Sequence, residues 1–337
     1  MIKALRNATI AATGIGAMAY AAQRVAAARL RTKPDDDAKR ALEAPLYVSH
    51  KLASHDQGTI NVVEAGSGPT IVLSHGVTLS VRTWFYQLEA LAADGFRVLA
   101  FDHRGHGESV LGDSGHSIDN LAEDVRSMLV GLDVRDAVLV GHSMGGIAVQ
   151  AFVTRFPDIA RERVRGIVLL STLAKAPLAR AVARYEKPLE RAMDRLPDST
   201  ALWDAPNFGL VLTRLGFGRH PKPSHVELVR RMMRDCSEDT RRLAPRALVG
   251  LDLTDEIASI QIPTLVIGGL ADLLTPPSEA RRIARLIPGA RLELVPGGGH
   301  MLMLERTDLI NQLIADFARE VQGDVRAGGR DGAAAAR

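Results

Sequence analysis

The sequence predicts an α/β fold in which helices cover both faces of a mostly parallel sheet. Short β-branched runs alternate along the chain with amphipathic segments of helical length. Strand followed by helix, repeated, is typical of parallel sheets, because each crossover between parallel strands needs a connection long enough for a helix. The 337 residues, 46% of them hydrophobic, suffice for one large domain with a sizeable core.

The predicted elements follow in chain order. A strand pair at residues 46–54 and 59–64 surrounds a turn whose Asp and Gly supply turn chemistry. The further predicted strands are residues 70–74, 97–101, 137–140, 166–170, 264–267 and 291–295. The predicted helices between and after them are residues 82–93, 118–132, 144–155, 277–286 and 304–321.

One interval, residues 174–259, interrupts this alternation. It contains many arginines, scattered aromatic residues and several prolines, with helix-like pieces at residues 178–195 and 224–235. It is longer than any plain connection in a compact domain, so we expect a helical insertion whose arginines form a solvated face. The predicted core is then residues 40–173 together with residues 260–322.

The two ends of the chain differ from the core in composition. In residues 1–39, Lys3 and Arg6 precede an apolar stretch at residues 8–22, and residues 33–39 form a polar linker. Three interpretations stay open: a solvent-exposed Ala-rich helix, a membrane anchor within residues 2–30, or a cleaved secretion signal. The first two make the protein cytoplasmic or membrane-associated. Residues 323–337, rich in Gly, Ala and Arg, are expected to be disordered.

Charge and cysteine content exclude several classes of function. A net charge of +3 is too balanced to indicate nucleic-acid binding. The single cysteine, Cys236, excludes an internal disulfide framework and a Cys-rich metal site. Asp102, His103 and His106 are expected to form a structural turn rather than a metal site, and no cofactor motif is present. We therefore expect neither a metal nor a cofactor.

The stretch LVGHSMGGIAVQ carries the strongest functional signal. Gly141, Ser143 and Gly145 form G-x-S-x-G between a predicted strand and a predicted helix, which is the context of a nucleophile elbow. The turn must be sharp and strained, and side chains at the two glycine positions would collide with neighbouring backbone. The N–H of Met144 then opens a helix and could stabilise an oxyanion.

A serine needs a general base, and the chain offers one after the last predicted strand. His300 follows three glycines there, and Asp272 follows the preceding strand as a candidate to orient the imidazole. Ser143, Asp272 and His300 all follow the carboxyl ends of strands, where open α/β sheets place their sites.

The loop after the strand at residues 70–74 is the candidate for the rest of the oxyanion hole. His75 and Gly76 end that strand, and the N–H of Val77 is the predicted second donor. Candidates for the substrate pocket are aromatic, with packing in the core or the insertion as the alternative for each. They are Trp84, Phe85, Trp203 and Phe208.

Together these motifs resemble the α/β-hydrolase superfamily over residues 46–321. The resemblance rests on His75-Gly76, FDHRGHGES, GHSMGG, the Asp272 loop and the glycine-rich His300 loop, and is strongest to the serine esterase/lipase-like and cofactor-free peroxidase-like members often seen in actinobacteria. It implies eight strands, a helical cap after the sixth, and a triad in the chain order found here. The family's loop after His-Gly often continues with a proline, whereas this chain reads HGVTLS, so Val77 is a positional inference. A serine nucleophile, not an aspartate, argues against epoxide hydrolases and haloalkane dehalogenases.

The expected activity is hydrolysis of a carboxylic ester through an acyl-enzyme. A small-molecule ester, or a lipid or acylglycerol ester, is the expected substrate. Thioesters, amides and perhydrolysis are alternatives on the same triad, and a non-catalytic receptor on this fold is the alternative of another class. The sequence leaves the oligomeric state open.

Overall fold

The computed structural model describes residues 20–176 and 203–334, and an eight-stranded sheet forms the centre of this part. The spatial order of the strands is β1-β2-β4-β3-β5-β6-β7-β8. Their bounds are β1 Val48–Ala53, β2 Thr59–Ala65, β3 Thr70–Ser74, β4 Arg97–Phe101, β5 Ala137–His142, β6 Val164–Leu170, β7 Thr264–Gly269 and β8 Arg291–Val295.

Seven of the eight strands run in the same direction and place their carboxyl ends at one edge of the sheet, and β2 runs in the opposite direction. β1 pairs antiparallel with β2, and β2 pairs antiparallel with β4. From β4 to β8 all pairs are parallel; Leu73 of β3, for example, lies between Ala100 of β4 and Val140 of β5. The loops after β3, β5, β7 and β8 therefore meet at the same edge.

Helices flank the sheet and form the insertion between β6 and β7. Their bounds are α1 residues 20–31, α2 Phe85–Ala93, α3 Ile118–Gly131, α4 Met144–Arg155, α5 Pro157–Arg163, α6 Pro206–Arg214, α7 Pro223–Asp235, α8 Glu238–Arg246, α9 Pro277–Leu286, α10 Leu302–Glu305 and α11 Thr307–Ala334. The helices α6, α7 and α8 are the described part of the cap. The predicted helix at residues 178–195 lies outside the described residues.

The core has two layers because successive residues of a strand face opposite sides of the sheet. Ile71 of β3 packs in the layer that α2 and α11 cover, through Leu88 and Phe317. The neighbouring Val72 packs in the other layer, against α3 and α4. With both faces covered, β3 and β5 are buried at every position, which is why their central residues are apolar without alternation.

The predicted fold class is confirmed, and the bounds of β3, β4 and β8 are those expected. The last helix differs from its prediction, since it begins as the short α10 and then continues as α11 to Ala334, through the segment predicted to be disordered. Extending an existing helix needs no new nucleus, and Ala and Arg are strong helix formers, which favours this continuation over the scattered glycines.

The segment before the core is bound to the cap. Arg31 donates a hydrogen bond of 2.7 Å to Asn207 of α6. In the predicted polar linker, Asp35 accepts hydrogen bonds from the backbone N–H (2.6 Å) and the hydroxyl (2.9 Å) of Ser224, in the first turn of α7. The side chain of Lys222, at the N-cap of α7, makes no capping bond, so Asp35 supplies the acceptor from a distant part of the chain.

The apolar N-terminal stretch is described only from residue 20 onward. There, Ala27 and Leu30 are buried against the core, so this part of α1 packs on the domain. In the described ranges, no helix is both long enough and apolar enough to cross a membrane. Residues 8–19 of the stretch lie outside the described residues.

Candidate active site

The turn between β5 and α4 holds Ser143 in a backbone conformation that side chains rarely adopt. Its φ is +52° and its ψ is −119°. The turn is fixed from both sides: the N–H of Ser143 donates to the carbonyl of Leu170 on β6 (3.1 Å), and its carbonyl accepts from the hydroxyl of Thr172 (2.7 Å). Strain of this kind persists only where the surroundings over-determine it, and it clusters at functional sites.

The two glycines of the elbow permit a close approach of backbone segments. A Cβ on Gly141 would lie 2.5 Å from the carbonyl oxygen of Gly145. A Cβ on Gly145 would lie 2.2 Å from the carbonyl oxygen of Ser74, at the end of β3. Both distances are below van der Waals contact, so any side chain at these positions would push β3, β5 and α4 apart.

Asp272 and His300 form a buried acid–base pair. Nδ1 of His300 lies 3.0 Å from Oδ2 of Asp272. The other carboxylate oxygen accepts from the N–H groups of Leu274 (2.8 Å) and Thr275 (2.9 Å). Burial alone would raise the pKa of Asp272, but the bonds from His300 and Thr275 outweigh it, and the pKa lies below its ordinary value. The carboxylate therefore stays ionised, keeps the proton on Nδ1 and leaves Nε2 as the basic nitrogen.

Thr275 contacts both residues of this pair, and the sequence analysis did not predict it. Its hydroxyl donates a hydrogen bond of 2.6 Å to Oδ2 of Asp272 and lies 3.2 Å from Nδ1 of His300. The signal in the sequence is a threonine three residues after the acid, in reach of a local side-chain turn. Its position against His300 is a tertiary contact that such spacing does not reveal.

The loop that carries His300 is joined to the cap through Glu305, a second residue that the sequence analysis missed. This half-buried carboxylate accepts from the N–H of Gly218 in the cap (2.7 Å) and from the N–H of Gly299 (3.1 Å). Burial raises the pKa of Glu305 although these N–H groups favour its charged form. The N–H of His300 donates to the carbonyl of Gly216 (2.9 Å), so the cap and the histidine loop also share a direct bond.

His142 links the elbow to the same loop. Its Nε2 donates to the carbonyl of His300 (3.0 Å), and the two rings lie 4.7 Å apart. Complete burial holds the pKa of His142 well below its ordinary value, so the ring is neutral. It is suited to hold the loop that carries His300 rather than to exchange protons.

The candidate oxyanion donors lie on the expected loops. Met144 begins α4, and Val77 borders the cavity beside Ser143. Within the described ranges, no acceptor is bonded to the N–H of either residue. The backbone after Val77 is held by Thr78, with φ +59°, whose N–H donates to Nε2 of the buried His106 (3.0 Å).

The histidines near this loop act as structural hydrogen-bonding groups. His75 accepts the N–H of His103 at Nε2 (3.1 Å) and donates from Nδ1 to the carbonyl of Gly76 (2.7 Å). Asp102 accepts from Asn61 and from the N–H of Val81, each at 2.8 Å. Among the residues that the structure describes, no group of three His, Cys, Asp or Glu side chains is placed to hold a metal ion.

A cavity of about 410 Å³ lies between the elbow and the cap. Ser143 and His300 both border it. Its other walls are mainly apolar and come from the oxyanion loop, the cap and the Asp272 loop: Gly76, Val77, Leu79, His142, Ile147, Leu173, Trp203, Leu212, Thr213, Leu215, Gly216, Val229, Met233, Leu248, Leu274, Thr275 and Met301.

Of the four aromatic pocket candidates, Trp203 alone borders this cavity. Trp84 is fully buried and packs edge-on against the ring of His142, 6.4 Å away, so it supports the elbow from within the core. Phe85 packs against Tyr47, and Phe208 is exposed on α6. The short helix Val81–Trp84 turns this aromatic run towards the core, which the spacing of the residues did not indicate.

Known proteins with related sequences or folds cover the same part of the chain. A non-heme chloroperoxidase from Burkholderia pyrrocinia is 31% identical over 74% of this chain and 91% of its own. A bifunctional esterase/perhydrolase from Acinetobacter calcoaceticus is 28% identical over 74% of this chain and 92% of its own. The solved structure of an esterase from Exiguobacterium antarcticum superposes with a TM-score of 0.70, at 21% identity, over 81% of this chain and all of that one.

The sequence profile described as alpha/beta hydrolase fold matches residues 69–307, from the start of β3 to the start of α11. This match includes the elbow, the cap and both loops of the acid–base pair. The chain belongs to the α/β-hydrolase family of enzymes.

Proposed function

We propose that this protein hydrolyses neutral carboxylic esters with an apolar acyl group, using Ser143 as nucleophile, His300 as base and Asp272 as the residue that orients the base. One observation carries the proposal: the strained Ser143 and the buried Asp272–His300 pair border one apolar cavity. An esterase and an esterase/perhydrolase are among the related proteins.

The proposed reaction has two steps. Nε2 of His300 takes the proton of the Ser143 hydroxyl as its oxygen attacks the acyl carbon, and the N–H groups of Met144 and Val77 stabilise the oxyanion. The alcohol leaves with the proton from His300, and an ester of Ser143 remains. Water, deprotonated by His300, then attacks this ester, which releases the acid and restores the serine.

The cavity supports a substrate without charge. Its walls carry no Asp, Glu, Lys or Arg side chain in the described part of the chain, and a charged substrate would lose its hydration there without a partner. Its volume of about 410 Å³ lies in the range of sites for small organic molecules. An acyl chain of medium length is the occupant that these properties favour.

Perhydrolysis is a second candidate, because the related proteins include a chloroperoxidase and an esterase/perhydrolase. Hydrogen peroxide would then replace water as the acceptor of the acyl group, giving a peracid and free Ser143. The acyl-enzyme is shared, so the two activities differ only in the second step.

Hydrolysis of p-nitrophenyl esters of increasing acyl length tests the proposal. We expect turnover with an optimum at medium length, and a loss of at least ~10³-fold in kcat for Ser143→Ala, because the nucleophile is removed. Ser171→Ala is the matched control: Ser171 is buried after β6, has a φ of +44° and does not border the cavity. A folded wild-type protein that turns over no ester would contradict the proposal and favour a receptor role.

A further inference from the structure

Four leucines are exposed on the two loops that meet beside the cavity. One loop follows α6 and the other follows β7. Their exposed fractions are 53% for Leu215, 45% for Leu270, 73% for Leu273 and 55% for Leu274. Four leucines this exposed on two adjoining loops are unusual, because each keeps apolar area in water that packing could remove.

Two of these leucines border the cavity that holds the candidate site. Leu215 and Leu274 line the cavity itself, and Leu273 is the neighbour of one of them. The two loops are in contact, since a Cβ on Gly216 would lie 3.9 Å from Cδ1 of Leu274. We call Leu215, Leu270, Leu273 and Leu274 the leucine rim.

Three arginines lie next to the leucine rim, and two of them, Arg214 and Arg306, interact electrostatically with Glu305 without a direct ion pair. Arg214 precedes Leu215 and donates to the carbonyl of Phe217 (2.8 Å). Arg219 and Arg306 lie beside the histidine loop, with side-chain atoms 3.9 and 3.5 Å from the Cβ position of Gly297. Among the described residues, no carboxylate lies within ion-pair distance of these three arginines.

The loops around the leucine rim also lack exposed acids. Residues 214–220 and 296–301 contain no Asp or Glu, and Asp272 in the third loop is buried in its pair with His300. Glu305 is half-buried and accepts hydrogen bonds from backbone N–H groups. In the part of the chain that the structure describes, the surface around the leucine rim therefore combines apolar side chains with positive charge.

We propose that the leucine rim docks on an anionic phospholipid surface, with its leucines in the acyl boundary and Arg219 and Arg306 against the headgroup phosphates. This combination of exposed leucines and cations is how peripheral proteins bind such surfaces. Docking goes beyond ester hydrolysis. It rests on the proposed function only in its consequence, namely that an apolar ester would enter the cavity directly from the lipid.

Binding to vesicles tests the docking without any need for turnover. The full chain carrying Ser143→Ala is sedimented with vesicles of equal parts phosphatidylglycerol and phosphatidylcholine, and with phosphatidylcholine vesicles. We expect binding to the anionic vesicles that weakens with salt. Leu273→Ser should reduce the partition coefficient about tenfold, since a buried leucine contributes most of its transfer free energy. Arg219→Gln should reduce it about fivefold.

Two controls come from the opposite edge of the sheet. Val130 is 43% exposed at the end of α3, and Arg161 lies on α5, so Val130→Ser and Arg161→Gln should leave binding unchanged. Equal binding by Leu273→Ser, Arg219→Gln and the parent chain would overturn the proposal, as would equal binding to both vesicle types.

A fluorescent label distinguishes lipid binding by the leucine rim from lipid binding by residues 8–22. Cys236 is the single cysteine and is buried, so a cysteine introduced at the rim can be labelled selectively. An environment-sensitive dye on Leu273→Cys should shift to the blue when anionic vesicles are added, and the same dye on Val130→Cys should not. Vesicle binding without this shift would place the contact elsewhere and overturn the proposal. Each of these measurements uses protein in which Ser143→Ala removes the proposed nucleophile. A negative result would therefore contradict the docking without bearing on ester hydrolysis.

Discussion

The two halves of the candidate site are held in different ways. The half at the sheet edge is fixed by backbone geometry and buried polar bonds, such as the strained turn at Ser143 and the carboxylate of Asp272 with its three kinds of donor. The cap half is mainly apolar, with Val229 and Met233 of α7 facing the cavity. Directional bonds tolerate little displacement, whereas apolar walls can be exchanged for others of similar volume. We infer that the sheet edge determines the chemistry and the cap determines the choice of substrate.

The largest expected effect comes from breaking the polar half at its acid. Asp272→Asn keeps the shape of the side chain but favours the wrong tautomer of His300, so we expect kcat for a short ester to fall ~10⁴-fold with a small change in KM. Steady-state kinetics measure this. Asp255→Asn, at an exposed position between α8 and β7, is the control and should match the wild type. A loss no larger than tenfold would mean that Asp272 does not orient the base.

A smaller effect is expected at Glu305, where the two halves join. Glu305→Gln removes the negative charge that strengthens the bonds from the N–H groups of Gly218 and Gly299, and it places an N–H₂ group against one of these donors, at a cost of about 1–3 kcal/mol. We expect kcat to fall roughly tenfold, because the loop that carries His300 loosens. The free energy of unfolding should fall by about 1–3 kcal/mol.

The control for that substitution is Glu293→Gln, an exposed position on β8. Kinetics and urea unfolding should show no change in it. If Glu305→Gln lowers stability but leaves kcat intact, the hydrogen bonds to Glu305 are structural and do not position His300.

Changes in the cap should alter selectivity and leave the chemistry intact. Val229→Phe reduces the volume of the cavity, so we expect kcat/KM for long acyl esters to fall roughly tenfold while that for an acetyl ester stays near the wild type. Val229→Ala should shift the optimum to longer chains. An equal loss on every ester would contradict the division between chemistry and selectivity.

The smallest expected effect is on the free energy of unfolding, whose pH dependence includes a contribution from Asp272. Its pKa is lower in the folded protein than in the unfolded chain, so its contribution to stability is fully present above about pH 4 and is lost as the pH falls through the folded pKa. Urea unfolding at several pH values should show that wild type exceeds Asp272→Asn by a constant margin near neutral pH, and that the margin shrinks in acid. A margin independent of pH would mean that the pKa of Asp272 is not lowered.

The sequence predicted the residues of the candidate site at the sheet edge better than the contacts between its loops and the cap. Ser143, Asp272 and His300 could be predicted because each lies in the loop after a strand, and the alternation of strands and helices places those loops at one edge. The contacts of Thr275 and Glu305 could not, since they depend on how separate loops approach each other. For the same reason, Asp35 in the predicted linker caps α7, and Trp84 packs in the core instead of against the cavity.

By itself, the sequence determined the sheet, the elbow and the order of the candidate triad. These features depend on local pattern: the period of the apolar residues, and glycines where a Cβ would meet backbone at 2.5 Å or less. The tertiary structure decided which side chains line the cavity, how the histidine loop is joined to the cap and which leucines remain exposed. Those outcomes depend on contacts between residues far apart in the chain, which no local pattern specifies.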